Sequence, residues 1–179
     1  MNKHQLKNNK GDIIQGPISV VTDIFEDERG FFTETWNQRN LNKLLGQDIS
    51  FVQDNHSLST LGVLRGMHFQ VSPHSQGKLI RCLQGEIYDV AVDLRISSST
   101  FGTWLGITLS SSNRKQLWLP CGFAHGFLTM SKEAEVMYKV TDYWDKDTEM
   151  SLRWNDPAIS INWPLKVSPK VSPKDSEAK

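Results

Sequence analysis

The sequence predicts an all-β fold, a sandwich or a barrel with a few short helices. Turn signals recur about every eight to twelve residues along most of the chain. The segments between them are short, apolar–polar alternating, and rich in Val, Ile, Phe, Trp and Thr. A single stretch, Asn37 to Leu45, carries a good helical pattern. The length of 179 residues fits one domain, 1–179, large enough for a substantial core, and no internal boundary is visible.

Each element has its own signal. Ile18 to Phe25 reads as a strand, Asp27-Glu28-Arg29-Gly30 as a polar turn, and Phe31 to Trp36 as a second strand. The helix places Leu41, Leu44 and Leu45 on one side and is closed by Gly46. Phe51 to Ser57 is a half-polar strand. Further strands are expected at Val63–Phe69, Lys78–Leu83, Glu86–Leu94, Thr103–Ser110, Lys115–Leu119, Ala124–Met130 and Glu135–Thr141. Leu83-Gln84-Gly85-Glu86 is a candidate tight hairpin. Its register would pair Cys82 with Ile87 and Ile80 with Asp89, giving Lys78, Ile80, Cys82, Ile87 and Asp89 one face. Asp89 would then sit diagonally from Lys78. The segment 166–179 repeats Lys-Val-Ser-Pro, from Lys166 and from Lys170, and has the composition of a mobile C-terminal arm.

Composition excludes several function classes. The formal net charge is zero, so no global field draws the chain to nucleic acid or to a membrane surface. No apolar run reaches membrane length, and Met1 to Lys7 lacks the apolar region of a leader. Cys82 and Cys121 fit no zinc or redox spacing and are too few for a disulfide scaffold. A reducing cytoplasm is the expected compartment.

The chemistry concentrates in Arg65-Gly66-Met67-His68-Phe69-Gln70, continued to Gly77-Lys78. A histidine reaching a core can shuttle protons near neutral pH. A lysine there can stabilise an oxyanion, and an arginine can grip phosphate. The trio suits proton abstraction beside a carbonyl on a phosphorylated substrate; a strand with one satisfied core histidine and two surface cations is the plainer alternative. Arg65 and His68 are three apart, so a regular strand would send them to opposite faces. Gly66 between them predicts a bulge that brings both into one cavity. Val136, Tyr138 and Val140 share a face, where Tyr138 is either a core tyrosine bonded to a carbonyl or an acid. A metal site is not expected. Gln70 stands where a metal-binding β-barrel would place its second histidine, and His74 and His125 complete no ligand cluster.

Eight motifs, in order over roughly residues 16 to 165, resemble those of the dTDP-4-dehydrorhamnose 3,5-epimerase family. They are Asp27 to Phe32, Phe51 to Ser57, Val63 to Gln70, Gln76 to Leu79, Gly85 to Asp93, Gln116 to Pro120, Gly122 to Phe127 and Trp154 to Asp156. The resemblance implies a metal-free, cofactor-independent jelly-roll (cupin-like) domain, usually a homodimer, acting on dTDP-4-keto-6-deoxyglucose in the nucleotide-sugar route to L-rhamnose. It assigns His68 as the base, Tyr138 as the acid and Lys78 as the stabiliser of the enolate oxygen. Asp175 partners His68. This holds if the second Ser-Pro-Lys unit, ending at Lys174, supplies the family's Lys-Asp pair; Lys170 is the alternative for the phosphate position. Arg29, Arg65 and Lys174 are implied diphosphate contacts. Glu34, Gln53, Asp54, Asn55 and Glu149 are implied contacts to sugar or base, and His125 is placed beside the sugar keto group. Trp144 stands where the family usually has a tyrosine that stacks on thymine, a departure that bears on nucleotide choice. Two alternatives remain at this stage: inversion at C3 or C5 only, or on another nucleotide sugar, and a non-catalytic sugar-nucleotide binding module. The latter has no use for both an acid and a base.

Overall fold

The computed structural model describes residues 1–178. In chain order the strands are β1 (Asn2–Lys7), β2 (Ile13–Val21), β3 (Phe25–Asp27), β4 (Gly30–Phe32), β5 (Gln53–Thr60), β6 (Leu64–Gln70), β7 (Lys78–Gln84), β8 (Glu86–Asp93), β9 (Trp104–Ser110), β10 (Gln116–Leu119), β11 (Phe123–Thr129), β12 (Glu133–Val140) and β13 (Glu149–Ser151). Helix α1 (Gln38–Leu45) precedes β5, and α2 (Pro173–Ser176) follows β13. The strands form a six-stranded sheet, β1-β2-β10-β7-β12-β5, facing a five-stranded one, β13-β6-β11-β8-β9, with antiparallel pairing throughout both. This is the expected all-β jelly roll. No helix among the described residues is long and apolar enough to cross a membrane.

Alternation explains the layers. Between the sheets lie Ile14, Ile80, Cys82, Leu117 and Val136 from one, and Ile87, Ala91, Leu105, Leu109 and Phe127 from the other. The opposite face of the five-stranded sheet, with Leu64, Met67, Val90, Val92, Ala124 and Leu128, is covered by residues beyond β13 that include Ile159, Ile161 and Trp163. β8 is therefore buried on both faces, and Val90 to Val92 read as a continuous apolar run. The outer face of the six-stranded sheet carries Ile18, Val20, Leu79 and Trp118, on which Leu41, Leu44 and Leu45 of α1 pack. α1 begins at the Asn37 cap, whose side chain accepts the Asn40 N–H, and ends at Gly46 in the left-handed region with φ 72°.

Four expectations are corrected. The β7–β8 hairpin does not form: β7 lies between β10 and β12, and β8 between β11 and β9, in the facing sheet. Ile80 is opposite Leu117 and Tyr138 rather than Asp89. The chain crosses from sheet to sheet at Gly85, where glycine serves a corner as readily as a hairpin tip. The grouping of Lys78, Ile80, Cys82, Ile87 and Asp89 still holds, because both inner faces look into one interior. Second, the strand placed at Ile18–Phe25 is β2, ending at Val21, and Phe25–Asp27 pairs instead with Gly30–Phe32 in a separate two-stranded ribbon. Third, the strand expected at Phe31–Trp36 ends at Phe32, and β1 and β13 are further edge strands too polar or too short to show a pattern. Fourth, the tail is docked rather than mobile. The Lys170 N–H bonds Gly62 O at 2.7 Å, the Leu64 N–H bonds Lys170 O at 2.9 Å, and Val171 packs on the outer apolar layer.

The expected irregularity at Gly66 is present. β6 pairs with β11 as His68 opposite His125 and Arg65 opposite Phe127, so three steps on β6 match two on β11. Gly66 and Gly126 face each other at this point. A Cβ on Gly66 would stand 2.6 Å from Gly126 Cα and 2.7 Å from His125 O, and Gly66 has φ +120°.

Candidate active site

One end of the sandwich opens into a cavity of about 790 Å³. The strand alternation decides what enters it. Gln53, Asn55 and Ser57 come from β5, Lys78 from β7 and Tyr138 from β12, all on the six-stranded sheet. Arg65, His68 and Gln70 come from β6, His125 and Phe127 from β11 and Glu149 from β13, on the facing sheet. Trp144, from the β12–β13 loop, and residues Lys170 to Asp175 close the rim. The bulge places Arg65 and His68 in the same space.

His68 Nε2 lies 2.6 Å from Asp175 Oδ1, and Asp175 Oδ2 accepts the Gly66 N–H at 3.3 Å. The Ser172 side chain caps the single turn of α2 by accepting the Asp175 N–H. Asp175 is 3% exposed. Burial alone raises its carboxyl, but bonds from His68, Gly66 and Ser172 outweigh this and hold it below the usual carboxylate value. A charged acceptor on Nε2 fixes the ring proton there and leaves Nδ1 as the other, basic nitrogen.

Lys78 donates from Nζ to His68 O at 3.3 Å. Its burial pushes the ammonium down to about 8, opposed by the charges of Asp89 and Glu149. Burial likewise raises the Tyr138 phenol, with Arg65 opposing and Glu149 adding to the rise, so it stays protonated at neutral pH. His125 sets Nε2 against both oxygens of Asp89, at 2.9 and 3.0 Å. Glu149 is ion-paired to Lys174 at 2.5 Å. Burial raises the Glu149 carboxyl, but bonds from Lys174 and the Trp144 side chain bring it below its usual value. The lining holds Arg65, Lys78, Lys170 and Lys174 against Glu149 and Asp175, a local cation surplus in a neutral chain.

Not every expected residue is here. Arg29 sits on the β3–β4 turn, fully exposed and held by Asp27. Glu34 accepts bonds from the Asn37 and Asn40 side chains beside α1. Asp54 points to the other face of β5 from Gln53 and Asn55 and pairs with Lys139 at 2.9 Å. None of the three lines the cavity of its own chain. Sequence reasoning also missed the work of Gln70. Its amide donates to His74 O at 2.6 Å and Tyr143 O at 3.1 Å and accepts the Asp145 N–H at 2.9 Å. The position that holds a ligand in metal-binding barrels here pins the loop bearing Trp144. The available signal was its parity with His68 on β6. Among the described residues no group of three or more His, Cys, Asp or Glu side chains is placed to hold a metal ion.

Comparison with known proteins identifies the family. The family model for dTDP-4-dehydrorhamnose 3,5-epimerase matches residues 12–179. The chain belongs to that family. A dTDP-4-dehydrorhamnose 3,5-epimerase of Salmonella typhimurium is 54% identical over 155 residues, covering 87% of this chain and 85% of the relative. The crystal structure of a Legionella pneumophila dTDP-6-deoxy-D-glucose-3,5-epimerase, solved in complex with dTDP-4-keto-L-rhamnose, superposes with a TM-score of 0.91 at 44% identity, covering 99% of this chain and 92% of that one. A Bacillus anthracis dTDP-4-dehydrorhamnose 3,5-epimerase with TDP and PPi bound gives 0.89 at 44% identity and 99% coverage of both chains.

Proposed function

We infer that this chain is a dTDP-4-dehydrorhamnose 3,5-epimerase, an isomerase that inverts C3 and C5 of dTDP-4-keto-6-deoxy-D-glucose to give dTDP-4-keto-L-rhamnose. The observation that carries the mechanism is the opposition of His68 and Tyr138. They stand on facing sheets across one cavity, with Lys78 donating a bond to the backbone of His68. The 4-keto group makes the C3 and C5 hydrogens acidic, because the electrons left behind move onto the carbonyl oxygen as an enolate. His68 takes each proton, Asp175 steadies the resulting imidazolium, and the Tyr138 phenol returns a proton to the opposite face of the carbon; between the two inversions His68 gives its proton to solvent and the Tyr138 phenolate takes one back. The Lys78 ammonium stabilises the enolate oxygen, an effect of roughly 3 to 4 kcal/mol for one oxyanion donor. No redox step is involved. Arg65, Lys170 and Lys174 supply charge for the diphosphate, His125 meets the keto region, and Gln53, Asn55, Glu149 and Trp144 hold sugar and base.

Arg29 and Glu34 enter this reading through assembly. The β3–β4 ribbon exposes Phe25, Phe31 and Phe32 at 65%, 56% and 70%, and a lone two-stranded ribbon is marginal in water. Docked on a second copy as a homodimer, it covers those rings and carries Arg29 and Glu34 towards the partner's cavity; Asp54 is left as an outer support of the Gln53–Asn55 strand. The free thiols of Cys82 and Cys121 suit a cytoplasmic enzyme.

Incubation with dTDP-4-keto-6-deoxyglucose in deuterated water tests the assignment. NMR should show deuterium entering at both C3 and C5. Entry at one carbon makes the chain a mono-epimerase, and entry at neither overturns the enzymatic reading.

A further inference from the structure

Asp89 is a buried carboxylate for which the mechanism above has no use. It is fully buried, and it lies on β8 facing inward with Ile87 and Ala91, beneath the cavity rather than in its lining. A carboxylate taken from water must be compensated by hydrogen bonds or charge. Its hydrogen-bond partner among the described residues is His125 Nε2, which spans both oxygens at 2.9 and 3.0 Å. An ionised carboxylate only accepts, so the ring proton sits on Nε2. Nδ1 has no partner among the described residues, and the ring lines the cavity, so Nδ1 is the nitrogen left for a ligand.

The second group is Lys78. The titratable and charged groups lining its cavity are His56 from β5, Arg65 and His68 from β6, His125 from β11, Tyr138 from β12, Glu149 from β13 and Lys170, Lys174 and Asp175 from the arm, with Asp89 behind it on β8. The carboxylates whose charge favours the ammonium are Asp89 and Glu149. Glu149 is already ion-paired to Lys174. Among the described residues the basic side chain in contact with Asp89 is His125. With burial driving the lysine toward its neutral form, Asp89 is the main charge working the other way.

We propose that Asp89 is a positioning residue for the epimerisation: one buried carboxylate that fixes the ring of His125 with Nδ1 toward the substrate and sustains the positive charge of Lys78 beside the reacting carbonyl. It touches neither substrate nor reacting atoms and acts through two groups on different sheets. The proposal rests on Lys78 and His125 meeting the keto sugar, as argued above.

The test uses Asp89→Asn in the full chain, with kcat and KM measured from mildly acidic to mildly alkaline pH. The expected result is a fall in kcat on the order of tenfold or more, by analogy with the carboxylates that orient metal-bound histidines, with KM little changed. The alkaline limb of kcat, where Lys78 loses its proton, moves to lower pH. In a Lys78→Met background the same substitution loses part of its effect, because one of its two routes is gone. Loss of activity that follows only a lowered Tm, with the alkaline limb unmoved, overturns the proposal, as does unaltered kcat. If Asp89→Asn does not fold, ¹⁵N NMR of the wild-type imidazoles decides: a neutral His125 protonated on Nδ1 overturns it, and a proton on Nε2 supports it. Full activity in Lys78→Met alone points to a different failure, that of the underlying reading of Lys78.

Discussion

Each of the two histidines at the floor of the cavity is paired with an aspartate, and the two pairs are built from different parts of the chain. His125 and Asp89 sit on β11 and β8, adjacent paired strands, and both are buried, with side chains 8% and 0% exposed. His68 is on β6, but its partner Asp175 arrives from a docked arm 107 residues away in sequence, and the His68 side chain keeps 31% exposure. A ring that exchanges protons with a substrate must be reached by it, and its partner then has to come from the side not occupied by the sheet. A ring that only orients and polarises can be locked into the core with its counter-charge beside it. The His68–Asp175 pair, whose aspartate comes from the arm, is accordingly the one that can be taken apart without disturbing the sheets.

The largest expected effect separates the two pairs outright. His68→Ala should abolish deuterium exchange at both C3 and C5, a loss of roughly 10²- to 10⁴-fold for a general base, while circular dichroism and Tm stay near wild type. Wild-type exchange rates in that variant would sink the assignment of His68 as base.

Lys78→Met comes next and cuts the other way on stability. One missing oxyanion donor costs about 10²- to 10³-fold in turnover. Yet the folded-state value of Lys78, about 8, lies below the ordinary lysine value of 10.5. The unfolded chain therefore binds the proton more readily between those limits, and stability rises with pH across that window. Removing the charge should raise Tm at neutral pH, and a lower Tm contradicts the burial argument.

Asp175→Asn should lower turnover with little change in KM, and removal of the chain beyond Pro169 should do so more strongly. The Asp175 carboxyl is held below its ordinary value of 3.8. The stability it contributes is thus present above that value and lost as pH falls through the depressed one. Limited proteolysis should find the arm released in acid before the sheets unfold; full activity of the truncated chain would show that the arm serves no catalytic purpose.

Tyr138→Phe leaves the Val136 and Val140 face packed and removes one hydroxyl. Net epimerisation should fall further than exchange, since abstraction belongs to His68; equal losses in both would move Tyr138 out of the acid role. The smallest effect belongs to Trp144→Ala. Stacking of a base on an aromatic is worth roughly 1 to 3 kcal/mol, so dTDP affinity should drop, read as loss of tryptophan quenching, with turnover at saturation nearly intact. Because Glu149 accepts from both Trp144 and Lys174, a loosened arm in this variant would join the base site to the exposed pair.

What the sequence could disclose follows the same division. His68, Lys78, Arg65 and the bulge at Gly66 were legible because residue type, spacing and strand parity act locally. The helix was legible from the leucines on one side and from Gly46, which closes it. The β7–β8 corner misled because glycine between alternating strands marks a hairpin and a sheet crossing alike. The contents of the inner face survived the error, since parity does not depend on which sheet a strand joins. Asp175 could be named only through family resemblance, as a Ser-Pro-Lys tail gives no local sign of docking. Arg29 and Glu34 illustrate the opposite limit: the resemblance grouped them with the site, and the fold puts them on an exposed turn and beside α1, outside the cavity of their own chain.

The facing glycines, Gly66 and Gly126, carry a consequence for how this site can change over time. A methyl group on Gly66 meets the backbone of β11, and one on Gly126 would stand 2.7 Å from both Arg65 O and Met67 Sδ. The spacing between His68 and His125 is therefore set by main chain against main chain and has no side chain to adjust it by small steps. Drift at either position has no tolerated intermediate, so new substrates are reached by altering the rim, at residues such as Trp144, while the floor stays as it is.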